Sequence, residues 1–268
     1  MITSTNNQQL KAVSALLKKS KERKEKKAFV VEGPRMVVEA PAESIKAVYV
    51  AESFEKHPEH KALLKELEEK CKVAQAPFEI VTDSVFKSVS DTQTPQGIMA
   101  VVKMPEYELE QLLDGDRTHL LILESIQDPG NLGTMMRTGE GAGITGVIMN
   151  KTTVDLFNPK TIRSTMGSIY RIPFYVTEDL SETLHILQEK GVSLYAAHLK
   201  GEHYYTEEDY EKSCGFLIGN EGNGLSDETA NQADCYIKIP MEGQVESLNA
   251  AISATLLMYE ANRQRRLK

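Results

Sequence analysis

Three short stretches of this chain combine glycine or proline with the polar side chains that chemistry needs. Gln127-Asp128-Pro129-Gly130-Asn131-Leu132-Gly133-Thr134-Met135-Met136-Arg137 follows the apolar run HLLILE. A Gly/Pro turn from a strand into a helix bares backbone N–H groups, and Arg137, six residues past Asn131, projects near the start of that helix. A guanidinium there can grip a phosphate or a ribose. The plain alternative is a structural turn, with Arg137 paired to Asp128 or Glu140. The second stretch, Ile218-Gly219-Asn220-Glu221-Gly222-Asn223-Gly224-Leu225, carries three glycines that let backbone approach a flat ligand closely. Glu221 is the ionisable side chain at its tip, suited to a ribose, an amine or a neighbouring Arg, or simply to solvent. The third, Ile239-Pro240-Met241-Glu242-Gly243-Gln244-Val245-Glu246-Ser247-Leu248-Asn249-Ala250-Ala251, offers an apolar wall at Pro240 and Met241. Ser247 is a credible N-cap of the helix that follows, with Asn249 in its first turn. No Gly-Lys-Ser/Thr follows the second stretch and no GxGxxG occupies the first, so a nucleotide P-loop and a dinucleotide fingerprint both fail.

The elements that must hold these stretches are legible as an α/β alternation. From Phe29, the runs AFVVEG, IKAVYV, FEIVT and GIMAVV alternate with helical patterns. A polar stretch around residues 105–117, with Pro105 and Asp114-Gly115-Asp116, marks a boundary. It separates an N-terminal α/β domain, residues 1–107, from a second domain, residues 116–268. In the second domain the strands are nearly continuous apolar runs, as in a parallel sheet covered on both faces. All three stretches then fall at C-terminal strand ends, where ligands of open α/β sheets bind. In the last helix Leu248, Ala251, Ile252, Thr255, Leu256 and Tyr259 recur with helical period and are expected to pack as one stripe.

Composition narrows the class. The 268 residues are 41% hydrophobic and 26% charged, proportions of a soluble globular protein. No apolar run approaches the roughly 18 residues of a membrane span, and the N-terminus lacks the pattern of a secretion signal, so a cytoplasmic protein is expected. Cys71, Cys214 and Cys235 are odd in number and far apart, which indicates neither a disulfide framework nor a zinc site. The net charge of −8 argues against a nucleic-acid partner, but its distribution does not. Between Lys11 and Lys27 eight basic residues (Lys11, Lys18, Lys19, Lys21, Arg23, Lys24, Lys26, Lys27) stand against Glu22 and Glu25, and Arg263, Arg265, Arg266 and Lys268 end the chain. These segments are either an RNA footprint or solvated mixed-charge helices.

Taken together and in order, N-x-G-x-x-x-R after a strand, IGNEGNGL, and IPM followed by SLNAA resemble the three motifs of the SpoU-type (TrmH-like) RNA ribose 2′-O-methyltransferases of the SPOUT superfamily. Ile162-Arg163-Ser164-Thr165-Met166-Gly167-Ser168 resembles that family's R-x-S-x-G-S/A segment, and FVVEGPRMVVEA and DTQTPQGIMAVV resemble its RNA-substrate-binding domain. The resemblance implies a C-terminal trefoil-knotted parallel-sheet methyltransferase domain and a smaller ribosomal-protein-like α/β domain before it. It implies S-adenosylmethionine as cofactor, with Gly219, Ile239 and Leu248 lining the adenosine pocket and Leu225 and Met241 as apolar neighbours. It implies a homodimer in which Arg137 reaches toward the partner's cofactor, aided by Asn131, Glu221, Ser247 and Asn249. RNA is the implied partner, ribosomal RNA ahead of transfer RNA because of the separate N-terminal domain. A non-catalytic RNA-binding or ribosome-assembly factor is the rival class, and it predicts broken cofactor loops.

The reaction needs no metal and no cysteine nucleophile. Methyl transfer from a sulfonium to a ribose hydroxyl is an in-line displacement, so alignment and loss of the hydroxyl proton are the tasks. None of the six histidines (His57, His60, His119, His185, His198, His203) stands in a ligand-like cluster, and His198, near a strand end, is expected to be neutral and structural.

Overall fold

Apolar runs of four to seven residues, too short for core helices and rich in Val and Ile, become ten of the eleven strands among residues 1–267, which the computed structural model describes; the eleventh is the two-residue His203–Tyr204. Lys268 of the basic tail lies outside the described residues. The chain divides into two units: residues 1–105 with 157–170, and residues 106–156 with 171 onward.

The first unit holds β1 (Ala28–Glu32), β2 (Ile45–Ala51), β3 (Phe78–Val81) and β4 (Ile98–Lys103), in the order β1-β4-β2-β3. β4 runs antiparallel to β1 and β2, whereas β2 and β3 are parallel. Between Ile45 and Ala47 the register on β4 slips, so that Lys46 bulges from β2. The helix Gln8–Lys18 buries Leu10, Val13, Leu16 and Leu17, the i, i+3, i+6, i+7 set of one face. Asn7 caps it through Oδ1, which accepts from the N–H groups of Gln9 and Leu10. Arg23, counted above among the basic residues, is buried: Nη1 donates to the Leu16 and Leu17 carbonyls at 2.6 and 3.3 Å and closes that helix's C-terminus.

Sequence patterning assigned residues 157–170 to the second domain, but they cluster with the first unit. The Phe157 ring lies 4.8 Å from that of Phe29, Tyr170 Oη donates to the Met36 carbonyl at 3.0 Å, and Arg163 pairs with Asp91 at 3.1 Å. Contacts of such long sequence separation leave no periodic signal.

The second unit is a seven-stranded parallel sheet, ordered β7-β6-β5-β10-β8-β11-β9. Its strands are β5 (His119–Leu123), β6 (Gly146–Asn150), β7 (Phe174–Thr177), β8 (Ser193–Ala197), β9 (His203–Tyr204), β10 (Cys214–Ile218) and β11 (Cys235–Lys238). β5 and β10 are central and buried throughout, which explains their unbroken apolar runs. The final helix, Ala250–Arg266, packs on the helix Pro129–Ala142 and on β10. Its buried face is Ala251, Ala254, Leu257, Met258 and Ala261, while Ile252 and Tyr259 are 50% and 45% exposed. The period expected from sequence is right, but the stripe is displaced by one residue. Small Ala residues let this helix close on Gly139, whose added Cβ would stand 3.5 Å from Met258 Sδ. Its basic end is largely structural: Arg263 pairs with Glu260, and Arg265 donates to the carbonyls of Tyr210, Thr118 and Lys212.

Candidate functional site

The three glycine-bearing stretches meet at the C-terminal ends of β5, β10 and β11. Asp128 caps the helix Pro129–Ala142 by accepting from the Asn131 N–H at 2.8 Å, with Pro129 at the first helical position. Glu221 reaches from the second loop into the first. Its carboxylate accepts from the Gln127 N–H at 2.9 Å, the Asp128 N–H at 3.0 Å and Asn131 Nδ2 at 3.0 Å. Burial pushes the Glu221 carboxyl up, but hydrogen bonds from Asn131, Gln127 and Asp128 outweigh it and hold the group below its ordinary range. Asn131 Oδ1 in turn accepts from Asn249 Nδ2 at 3.0 Å, which ties in the third loop. Glu221, Asn131 and Asn249 thus form one chain of bonds across all three loops.

Asn249, not Ser247, caps the final helix: Oδ1 accepts from the N–H groups of Ala251 and Ile252 at 2.9 and 3.3 Å. Asn accepts as well as Ser at this position, and here its Oδ1 serves the helix while its Nδ2 serves the site. Ser247 is exposed on the loop before it.

Beside this junction lies a cavity of about 590 Å³ between the Gly219–Leu225 and Ile239–Leu248 stretches and the end of β8. Gly219, Glu221, Leu225, Ile239, Met241, Ser247 and Leu248 all line it. The second loop folds back sharply, with the Gly224 N–H donating to the Asn220 carbonyl at 2.8 Å. A Cβ on Gly219 would stand 2.1 Å from the backbone of Gly224 and Leu225, so glycine is obligatory there. A shallower depression, lined by Gln127, Asp128, Asn131, Glu221, Leu248 and Asn249, adjoins the cavity. His198, which accepts the Lys200 N–H on Nδ1 at 3.1 Å and lies 4.9 Å from the Tyr236 ring, also lines the cavity.

Arg137 is the expected site residue that joins neither lining. It is exposed on the helix Pro129–Ala142, and among the described residues it makes no hydrogen bond or ion pair. The structural alternative fails because Asp128 serves as the cap and Glu140 is engaged by Arg171. Arg163, of the fourth quoted segment, is likewise absent from these linings and is paired with Asp91 in the first unit.

Sequence reasoning passed over the residues beneath the junction. Ser125 adopts the left-handed region at φ 57°, uncommon for a residue with a side chain. Its N–H donates to Asn150 Oδ1 at 2.9 Å, and its carbonyl accepts from Asn220 Nδ2 at 2.9 Å and Gln127 Nε2 at 3.1 Å. Glu124 accepts from Ser226 N and Oγ at 2.8 and 2.7 Å and from Thr229 Oγ1 at 2.6 Å, fixing the far side of the second loop. A carboxylate directly after an apolar strand was the signal for Glu124, and Ser125 had none.

The chain matches known proteins over both units. Residues 118–259 match the SpoU rRNA Methylase family, and residues 7–100 match the MRM3-like substrate binding domain. The chain is 34% identical, over 96% of its length and 97% of the relative's, to the 23S rRNA (guanosine(2553)-2′-O)-methyltransferase RlmP of Bacillus subtilis. It superposes on the AdoMet-bound rRNA methyltransferase from Sinorhizobium meliloti with a TM-score of 0.85 at 30% identity, covering 98% of this chain and 97% of that one. The AdoMet complex of the SpoU methyltransferase AviRb from Streptomyces viridochromogenes gives a TM-score of 0.85 at 25% identity, covering 97% and 99%.

Proposed function

From the premise that this chain belongs to the SpoU rRNA methylase family, we propose that it transfers a methyl group from S-adenosylmethionine to a ribose 2′-hydroxyl of ribosomal RNA. The observation that carries this reading is the junction itself: Glu221, Asn131 and Asn249 lock three loops around a cavity whose wall at Gly219 admits no side chain. That cavity, about 590 Å³, is walled by Leu225, Ile239, Met241 and Leu248 on one side and by polar groups such as Asn220, Glu221 and Ser247 on another, and suits a ligand of nucleoside size with an apolar ring face and polar edges. S-adenosylmethionine supplies there a methyl carbon activated by a sulfonium.

The protein's part is alignment. Gly219, Ile239 and Leu248 hold the adenosine, with Leu225 and Met241 packing beside them. Glu221, Asn131 and Asn249 keep the first loop in register with the cavity, and Ser247 faces the same space. Arg137, uncommitted and exposed, binds the phosphate next to the target ribose and eases loss of the 2′-hydroxyl proton through its charge. The alternative role, Arg137 as the proton acceptor itself, demands a neutral guanidinium and is the less favoured version.

The active form is a homodimer in which Arg137 serves the cofactor of the partner. The exposed apolar pair Ile252 and Tyr259, on the helix packed against that of Arg137, supports this reading. A trefoil knot is supported by the strand order, because the chain leaves β10, passes β8 to form β11, and returns in a helix packed on β10. The cytoplasm is the compartment in which this substrate is met, and among the described residues no helix is long and apolar enough to cross a membrane.

The test is transfer of labelled methyl to unmodified large-subunit ribosomal RNA, small-subunit ribosomal RNA and bulk transfer RNA in parallel, followed by mapping of 2′-O-methyl riboses. Label in large-subunit RNA is expected. Label confined to transfer RNA would move the substrate, and an absence of S-adenosylmethionine binding would restore the non-catalytic reading. Sedimentation of the full chain checks the dimer.

A further inference from the structure

One sequence feature stands outside the methyl-transfer site: the basic run that leads into β1. In the first unit Arg23 is buried as a helix cap, and Lys21 pairs with Glu25 at 3.7 Å. Lys24, Lys26 and Lys27 are exposed where the helix Ser20–Lys26 passes into β1. Because β4 runs antiparallel to β1 and β2, its last residue adjoins their first. Lys103, the exposed end of β4, pairs with Ala28, and the Met104 N–H donates to the Lys27 carbonyl at 2.9 Å. Lys46 Nζ lies 3.4 Å from the Lys26 carbonyl. Two elements of the sheet that are remote in sequence therefore add their ammonium groups to the same edge. The acidic residues on these segments are Glu22, Glu25, paired with Lys21, Glu43 on the turn before β2 and Glu32 at the opposite end of β1, and Glu106 follows Lys103 by three residues in sequence.

Two of these lysines occupy positions where lysine is not the residue the backbone prefers. Lys27 sits at φ 45° and ψ 48°, the left-handed helix end usually given to Gly. Lys46 is the bulged residue of β2, and a bulge re-aims its side chain away from the regular alternation. Backbone compromises that place charge at one sheet end point to use of that charge.

We infer that Lys24, Lys26, Lys27, Lys46 and Lys103 form a phosphate-binding edge of the first unit, which takes the backbone of structured RNA irrespective of base sequence. The inference rests on the reading of this protein as an RNA methyltransferase and adds where its substrate's backbone is held. Phosphate contacts of this kind fix register and carry salt-dependent affinity, leaving base choice to other surfaces.

The experiment uses the full chain and in vitro transcribed, unmodified large-subunit ribosomal RNA. The Lys46→Gln/Lys103→Gln variant is compared with Lys61→Gln/Lys65→Gln, which removes the same charge from exposed positions on another helix of that unit. Affinity is measured from low to moderate salt, and S-adenosylmethionine binding serves as the check on folding. The edge variant is expected to bind RNA roughly fivefold to tenfold more weakly, with a salt slope shallower by about 1.4 to 1.8, while the control pair keeps the wild-type slope. Equal loss in both variants, or none in the edge variant, overturns the edge. Failure of the wild-type protein to bind the RNA at all overturns the methyltransferase reading as well. Lys27→Gly is the variant least exposed to misfolding, since glycine suits the left-handed position: melting temperature held or raised together with weaker RNA binding is expected. Unchanged RNA affinity in that variant would remove Lys27 from the edge.

Discussion

The two units place the residues proposed for cofactor and RNA on surfaces of opposite kind. In the second, three loops at strand ends are fixed by amides, one carboxylate and glycines, and every bond has a particular partner. In the first, lysines from a helix end, a bulge and a strand terminus share one edge with few specific bonds between them. The difference follows from the tasks. Displacement at a methyl carbon is sensitive to alignment, whereas attraction of phosphate depends on summed charge and tolerates flexible side chains. Damage to the first surface should therefore be graded, and damage to the second abrupt.

Gly219→Ala is the sharpest way to break the second surface. A Cβ 2.1 Å from backbone forces the loop open, and a loss of about 3 kcal/mol, or roughly 100-fold in S-adenosylmethionine affinity, is expected by calorimetry. An unchanged affinity would mean the loop opens freely and does not cradle the cofactor. Next comes Arg137→Lys. Keeping charge but losing the planar fork, it should lower kcat about 100-fold with cofactor binding intact, and full turnover would refute both roles given to Arg137.

Glu221→Gln should act more mildly, cutting turnover about tenfold by loosening the first loop. Its pH signature is specific. The carboxyl is held below its ordinary range in the folded chain, so its contribution is complete above the unfolded value and fades as pH falls through the folded one. The gap in urea stability between wild type and variant should thus be constant near neutrality and close in acid; a gap that widens in acid would contradict the assignment.

The smallest effect is expected at His119, which serves neither surface. Burial, followed by the charge of Arg265, pushes its imidazole down to about 3, and Nε2 is buried without a hydrogen-bond partner. The unfolded chain takes up that proton from its ordinary 6.5 downward while the fold refuses it until about 3, so stability is lost as pH falls across that window. His119→Phe should change stability by only about 1 kcal/mol at pH 7 and flatten the acid loss between those values. Denaturant midpoints at pH 7 and 4.5 would check the slope.

Particular residues show what sequence could reveal. Glycines and prolines announce their loops because their backbone demands are local, and so Gly219, Pro129 and the strand ends around them were readable in advance. The central strands β5 and β10 were readable too, since burial on both faces leaves an unbroken apolar run. Their adjacency was not, because β5 meets β10 across intervening strands that lie elsewhere in the sheet. Helix phase failed by one residue at Ile252, because Ala251, Ala254 and Ala261 share the core-facing side with Leu257 and Met258 while Ile252 and Tyr259 face outward. Arg23 looked like solvent-facing charge until two carbonyls claimed it, and Ser125 carried no mark of its left-handed backbone.

The return of residues 157–170 to the first unit governs how this protein can be taken apart. A fragment ending at residue 105 would include every strand of the first sheet yet lack Phe157 against Phe29 and the helix that packs on β1. A fragment beginning at residue 106 would carry that helix without its sheet. No single cut therefore yields two self-sufficient modules, and a swap of substrate-binding parts between relatives must exchange two separate stretches of gene.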